Sequence, residues 1–219
     1  MRVNSVLGAQ AIRFVSVPVL PEEKRVPIYT LIKGLQERYS FLQIPTTVED
    51  FDFTKGVTFL RGVFEYKVID KFQVYERGVL CESTVDTEYC ERFIDDVLDF
   101  GRGMKLPFSK VDGADRGYFS SLEVQMDGTL GEQIIKLSSL SALLATKFKT
   151  YGIATGDYSG IGFKLGYDET GVPNPRSTDF VFERRVAEPF SASLYATWGS
   201  LKTADHIEVL QTLEKMMMA

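Results

Sequence analysis

Residues 73–84 read QVYERGVLCEST, and about a hundred positions later residues 180–191 read FVFERRVAEPFS. A four-of-six match such as VYERGV with VFERRV arises by chance in a chain of 219 residues, so other elements must decide whether the segments are related. Their shared Val-aromatic-Glu-Arg core lies at an offset of 107 (181 − 74). At the same offset, two stretches in which every second residue is apolar align with each other. Val15, Val17 and Val19 align with Leu122, Val124 and Met126.

The predicted helices and strands follow the same order in both halves. Apolar residues recur at spacings of three and four over residues 23–39, 87–100, 130–152 and 203–218, which predicts four helices. A first strand is predicted at 13–19, and each half then continues as helix, two or three strands, and helix. A shift of 104 (163 − 59) places Phe59 on Phe163, and the drift in offset falls in loops, where insertions are tolerated. We therefore expect a tandem duplication of a unit of about 105 residues, longer than a solenoid repeat.

This order predicts an α+β protein built from two tandem strand-helix-strand-strand(-strand)-helix modules. Ferredoxin-like modules fit if MKLPFSKV supplies the last strand of the first copy, and other pseudo-dimers fit as well. Helices should cover one face of an antiparallel sheet. The expected domains are a first module at 1–103, a connector at 104–117 that contains at most one short strand, and a second module at 118–219.

Composition limits the classes of partner. Thirty acidic residues against 25 Lys and Arg give a net charge of −5, which does not favour a phosphate-binding surface, so nucleic acid is not an expected partner. No apolar run approaches the roughly 18 residues that span a bilayer, and no secretory leader is visible, so the expected location is the cytoplasm or a particle assembled there. Cys81 and Cys90 are expected to be reduced core thiols.

The repeated Glu-Arg pair is the main candidate for a binding site. On a strand, Glu76 and Arg77 should point to opposite faces, as should Glu183 and Arg184. One interpretation is a charged cleft between the modules, also lined by aromatic residues, that holds an anion or a cation. The other is a half-exposed strand whose long side chains cover apolar neighbours. The candidate ligand-binding residues are Tyr75, Glu76, Arg77, Phe182, Glu183 and Arg184.

No residue pattern requires catalysis. His206 is the only histidine, and its place in the first turn of the last helix predicts a surface residue. No catalytic residue, metal site or cofactor is therefore expected from the sequence.

Three functions are compatible with these patterns. The first is a non-enzymatic interaction or assembly protein, a structural subunit of a larger homo- or hetero-oligomeric complex such as a virion, whose partners are protein subunits. The second is a small-molecule-binding module with a pocket between the two repeats. The third is a nucleic-acid-binding open sheet, which the acidic balance disfavours.

Overall fold

The structure is a computed structural model, and it describes residues 1–16, 28–106, 108–110, 116–127, 138–150, 160–166, 179–186 and 188–218. The first residues of the helices predicted at 23–39 and 130–152 lie outside these ranges, as does most of the predicted connector beyond residue 110.

The described residues form an α+β fold with four α-helices and ten strands. The helices are α1 (Ile28–Tyr39), α2 (Thr87–Gly103), α3 (Ser138–Thr150) and α4 (Thr203–Met218). The strands are β1 (Arg2–Arg13), β2 (Val15–Ser16), β3 (Val57–Phe64), β4 (Lys67–Tyr75), β5 (Gly78–Ser83), β6 (Ser109–Lys110), β7 (Arg116–Gln125), β8 (Gly162–Leu165), β9 (Phe180–Arg184) and β10 (Leu194–Gly199).

Eight of these strands form one antiparallel sheet in the order β3-β4-β5-β1-β7-β10-β9-β8. The short strands β2 and β6 pair separately, Val15 with Lys110 and Ser16 with Ser109. Two expectations therefore need correction. The first strand ends at Arg13 instead of beginning there, and MKLPFSKV contributes to the small sheet instead of completing a ferredoxin-like module. The ferredoxin-like arrangement is not confirmed.

The chain divides into two compact units that exchange short segments. The first unit is Val6–Ser121 with Ser200–Thr203, and the second is Met1–Ser5, Leu122–Gly199 and Ala204–Ala219. Strands β1 and β7 each contribute residues to both units.

The core of the first unit lies between its strands and helices α1 and α2. Phe59, Phe72 and Cys81 are directly opposite one another on β3, β4 and β5, and all three are buried. Because side chains alternate along a strand, this row faces one side of the sheet, where Phe93 of α2 lies 5.3 Å from the Phe72 ring. Phe93 also meets Tyr39 of α1 at 4.9 Å, so both helices pack on the same face.

The first turn of helix α2 is capped by a side chain, because its amides have no carbonyl acceptor within the helix. Asp86 accepts a hydrogen bond from the Tyr89 amide at 2.6 Å and so caps the first turn. At the same place two buried threonines bind each other. The Thr87 amide donates to the Thr203 hydroxyl at 3.1 Å, and the Thr203 amide donates to the Thr87 hydroxyl at 2.8 Å. This exchange satisfies two backbone donors that would otherwise be buried without a partner.

The free edge of β3 is partly covered by the segment that follows α1. Gln43 and Leu60 exchange backbone hydrogen bonds of 3.3 and 2.9 Å. The Phe41 ring fits here only because position 62 is glycine, since a Cβ on Gly62 would lie 2.5 Å from that ring. A covered edge is protected from pairing with other chains.

The second unit also has a cross-strand row, in which Phe182 and Thr197 are buried and Phe163 is half-buried. Phe163 of β8 is opposite Phe182 of β9, which in turn is opposite Thr197 of β10. Phe182 is fully buried and its ring stacks on Tyr195 at 4.4 Å. Helix α4 contributes His206, which is buried against this row.

Candidate functional site

The first group of predicted site residues lies at the β4–β5 hairpin. Tyr75 ends β4 and pairs with Gly78, so Glu76 and Arg77 form the two-residue turn between them. The prediction that these two side chains alternate on a strand is therefore wrong. The turn contains no glycine or Asn-Gly signal, which explains why the sequence pattern continued through it.

The second group lies on β9, where the strand prediction is confirmed. Phe182 is part of the buried row, and Glu183 is exposed. The Arg184 guanidinium donates to the Glu188 carbonyl and lies 4.1 Å from the centre of the Phe190 ring. Arg184 is thus engaged within its own unit.

The two Glu-Arg pairs therefore stand in different local structures, one in a turn and one on a strand. Tyr75, Glu76 and Arg77 belong to the first unit, and the other three belong to the second. Within the described residues each group is placed by its own unit, and the predicted cleft that would join them stays a prediction.

A groove in the first unit contains part of the predicted site. It has a volume of about 330 Å³ and is lined by Ile12, Phe14, Tyr75, Arg77, Gly78 and Leu80. Ile12 and Leu80 are opposite each other on β1 and β5, one position from the pair Ala11 and Cys81, which faces the helices. Because alternate residues point to opposite faces, the groove lies on the sheet face that α1 and α2 leave uncovered.

The tip of the β3–β4 hairpin is the second candidate surface. Tyr66 is fully exposed, and the facing pair Val63 and Val68 is about half exposed. Glu65 and Tyr66 both have left-handed backbone conformations, with φ of 46° and 61°. Such a turn favours Gly or Asn, and each bulkier residue there costs about 1–2 kcal/mol.

Helix α2 holds this strained turn in place. The buried Tyr89 hydroxyl lies 2.8 Å from the Phe64 carbonyl and 2.9 Å from the Lys67 carbonyl, one on each side of the turn. Arg92 donates two hydrogen bonds to the Glu65 carboxylate, at 2.9 and 3.4 Å, which lowers the pKa of Glu65. The sequence did not single out this tip, because no local signal marks Glu65 and Tyr66 as a turn.

His206 is buried, so the prediction of a surface histidine is wrong. The Thr197 hydroxyl donates its single proton to the Val181 carbonyl at 2.7 Å. It must therefore accept from His206, whose Nε2 lies 3.0 Å away, and this assigns the proton to Nε2. Burial lowers the pKa of His206 to about 4, so the imidazole is neutral at pH 7.

The cysteine prediction is confirmed, since Cys81 and Cys90 are both free and buried. Burial, followed by the hydrogen bond with Cys90, raises the pKa of the Cys81 thiol. A buried thiol with a raised pKa is a poor nucleophile. Over the described ranges, no group of three or more His, Cys, Asp and Glu side chains is placed to hold a metal ion.

The chain matches no model of a known protein family and no curated protein. Among the helices that the structure describes, none has the length and apolar character needed to cross a membrane.

Proposed function

We propose that this chain is a non-enzymatic interaction protein, a structural subunit of a larger homo- or hetero-oligomeric complex assembled in the cytoplasm. The observation that carries the proposal is the fully exposed Tyr66 on a strained turn fixed by Tyr89 and Arg92. A turn of this type would be more stable with glycine, so a tyrosine here lowers stability, and no contact with another described residue offsets the loss. Exposed, preorganised aromatic residues are the commonest anchors of protein interfaces.

The surroundings of Tyr66 support this role. The half-exposed Val63 and Val68 extend the apolar tip, while Glu65 and Lys67 beside it provide a charged border. An apolar centre with a polar rim is the usual arrangement of a protein contact. The tip is small, so it would act as one anchor within a larger contact area.

We also propose that the scaffold is a tandem duplication. Three pairs of positions in the two cross-strand rows support this: Phe59 with Phe163, Phe72 with Phe182, and Cys81 with Thr197. Their offsets are 104 (163 − 59), 110 (182 − 72) and 116 (197 − 81). The offset of 110 differs from the 107 of the similar Glu-Arg segments, so in this alignment those segments are not equivalent.

The offset of 116 also relates the first residues of helices α2 and α4. Thr87 and Thr203 are 116 residues apart and exchange equivalent hydrogen bonds. Cys90 and His206 have the same separation (206 − 90), and each packs on its partner in the preceding strand. A duplicated β-α-β-β-β-α module accounts for both coincidences.

Tyr66→Gly tests the interaction role. Glycine suits the left-handed turn, so the free energy of unfolding should stay within about 1 kcal/mol of the wild type. Light scattering of the full chain at micromolar concentration, alone and with proteins recovered from its natural source, should show an assembly that Tyr66→Gly weakens at least about tenfold.

The matched control is Tyr29→Ala, because Tyr29 is also an exposed tyrosine but lies on α1. This variant should assemble like the wild type. A wild-type chain that remains monomeric and retains no partner would refute the proposed function, and equal losses in both variants would exclude the hairpin tip as the contact.

A further inference from the structure

We propose that the groove on the face of the first unit's sheet opposite α1 and α2 binds a small amphipathic anion. The apolar part of the ligand would lie on Ile12 and Leu80, and its carboxylate or phosphate would pair with Arg77. This site is separate from the hairpin tip and does not depend on the assembly role.

The floor of the groove is apolar because of the strand register. Ile12 and Leu80 are a directly opposite pair, and Phe14 and Tyr75 extend the apolar surface at the end where β1 and β4 stop. The Tyr75 hydroxyl is already engaged with Gln73 at 3.0 Å, so the ring presents mainly carbon. Apolar surface of this kind gains free energy when a hydrocarbon covers it.

The close approach of β5 to the end of β1 depends on a glycine. A Cβ on Gly78 would lie 3.0 Å from the Arg13 carbonyl oxygen. Gly78 therefore brings the β4–β5 turn against β1, and this places Arg77 at the border of the apolar floor.

Arg77 differs from nearly all the other arginines that the structure describes. Eight of those guanidiniums pair with a carboxylate, a side-chain amide oxygen or a backbone carbonyl, namely those of Arg2, Arg13, Arg38, Arg92, Arg102, Arg116, Arg184 and Arg185. Within the described part of the chain, the guanidiniums of Arg61 and Arg77 are the two that have no hydrogen bond, ion pair or ring contact.

The position of Arg77 indicates the charge of the ligand. Its neighbour Glu76 uses its backbone amide to bind the Phe53 carbonyl, and its carboxylate forms no ion pair with Arg77. A guanidinium beside an apolar floor can form a two-pronged, charge-assisted contact with a carboxylate or phosphate. Charge complementarity therefore favours an anionic head group over a neutral or cationic one.

The size of the groove favours a small molecule. Its volume of about 330 Å³ is close to the lower end of the range for small-ligand pockets, about 300–1,000 Å³. A short fatty carboxylate or an alkyl phosphate fits this volume and combines the two required chemical properties.

The test uses decanoate and decyl phosphate, titrated calorimetrically into the full chain below their micelle-forming concentrations, with decanol as the uncharged comparison. At least one anion should bind, more tightly than decanol, and the stronger of the two identifies the preferred head group. Arg77→Gln should weaken anion binding about tenfold, the loss expected for one charge-assisted contact. Arg61→Gln, which removes the other unpartnered guanidinium, should change it less than about twofold.

Arg77 is exposed and lies in a turn, so its replacement should not unfold the chain, and the midpoint of denaturant unfolding checks this. The proposal is overturned if neither anion binds at millimolar concentration, if decanol binds as tightly as the anions, or if Arg61→Gln and Arg77→Gln cause equal losses. None of these results bears on the assembly role, which is measured by mass.

Discussion

Two strand-helix contacts in this chain have the same spacing and different chemistry. In the first unit, Cys81 of β5 and Cys90 of α2 form a buried pair of thiols, nine residues apart. In the second, Thr197 of β10 and His206 of α4 form a buried hydroxyl–imidazole hydrogen bond at the same separation.

The difference shows that a strand residue and a helix residue nine positions later can form either an apolar or a polar buried pair. Thiols behave as small apolar groups and need no exact hydrogen-bond geometry. A buried imidazole must keep its hydrogen bond and stay neutral, which links the stability of the second unit to pH. Variants of Phe93, His206 and the Thr87–Thr203 pair test this comparison, and their expected effects decrease in that order.

Phe93 and Val209 lie three positions after Cys90 and His206, respectively. Phe93 is fully buried among aromatic rings, whereas Val209, 116 residues later (209 − 93), is 41% exposed. Phe93→Ala should lower the free energy of unfolding by about 3–5 kcal/mol because it leaves a cavity. Val209→Ala should cost less than about 1 kcal/mol. Urea unfolding of both variants measures the difference, and equal losses would contradict the contrast between a buried Phe93 and a half-exposed Val209.

The second prediction concerns pH. The pKa of His206 is lowered from 6.5 to about 4 by burial, so the folded chain binds this proton more weakly than the unfolded chain. The resulting stability is complete above pH 6.5 and is lost as pH falls from 6.5 towards 4, by about 3 kcal/mol in total.

The double variant Thr197→Cys/His206→Cys imports the thiol pair into the second unit. It should lack this component of the acid sensitivity, while the carboxylates common to both proteins continue to titrate. Unfolding midpoints measured at pH 7.5, 6.0 and 5.0 give the comparison. Parallel pH profiles for the wild type and the double variant would contradict the assignment to His206.

The smallest effect concerns the threonine exchange. Thr87→Val removes the acceptor of the Thr203 amide, and Thr203→Val removes the acceptor of the Thr87 amide. Each variant leaves one buried amide unpaired, so each should cost about 1–2 kcal/mol, and the two losses should agree within about 0.5 kcal/mol. The Ser variants keep the hydroxyl and serve as controls. Clearly unequal losses would show that the two hydrogen bonds are not equivalent.

The fold class could be predicted from the sequence where apolar periodicity was strong. Helix α2 begins at Thr87 and α4 at Thr203, as expected, because their apolar faces are visible in the sequence. Strand β1 was missed because its two fully buried positions are Ala9 and Ala11, which are too small to produce a clear alternation.

The candidate sites were harder to predict, for reasons of local geometry. Both tight turns of the β3–β4–β5 meander use residues other than glycine or asparagine, so Glu65 and Glu76 appeared to continue their strands. The burial of His206 depends on a hydroxyl supplied by Thr197, a contact that helical periodicity does not report. Arg77 was predicted as a site residue because its side chain and that of Glu76 were expected to alternate along a strand. That alternation does not occur, but Arg77 does line the groove.

The segments exchanged between the two units limit how the protein can be divided. A fragment that ends near residue 121 contains nearly all of the first unit but lacks Ser200–Thr203. Its Thr87 amide would then have no hydroxyl acceptor from Thr203. Cutting the gene at the apparent midpoint should therefore yield halves that are less stable than the units they are meant to isolate, and co-expression of both halves should be needed to recover each of them.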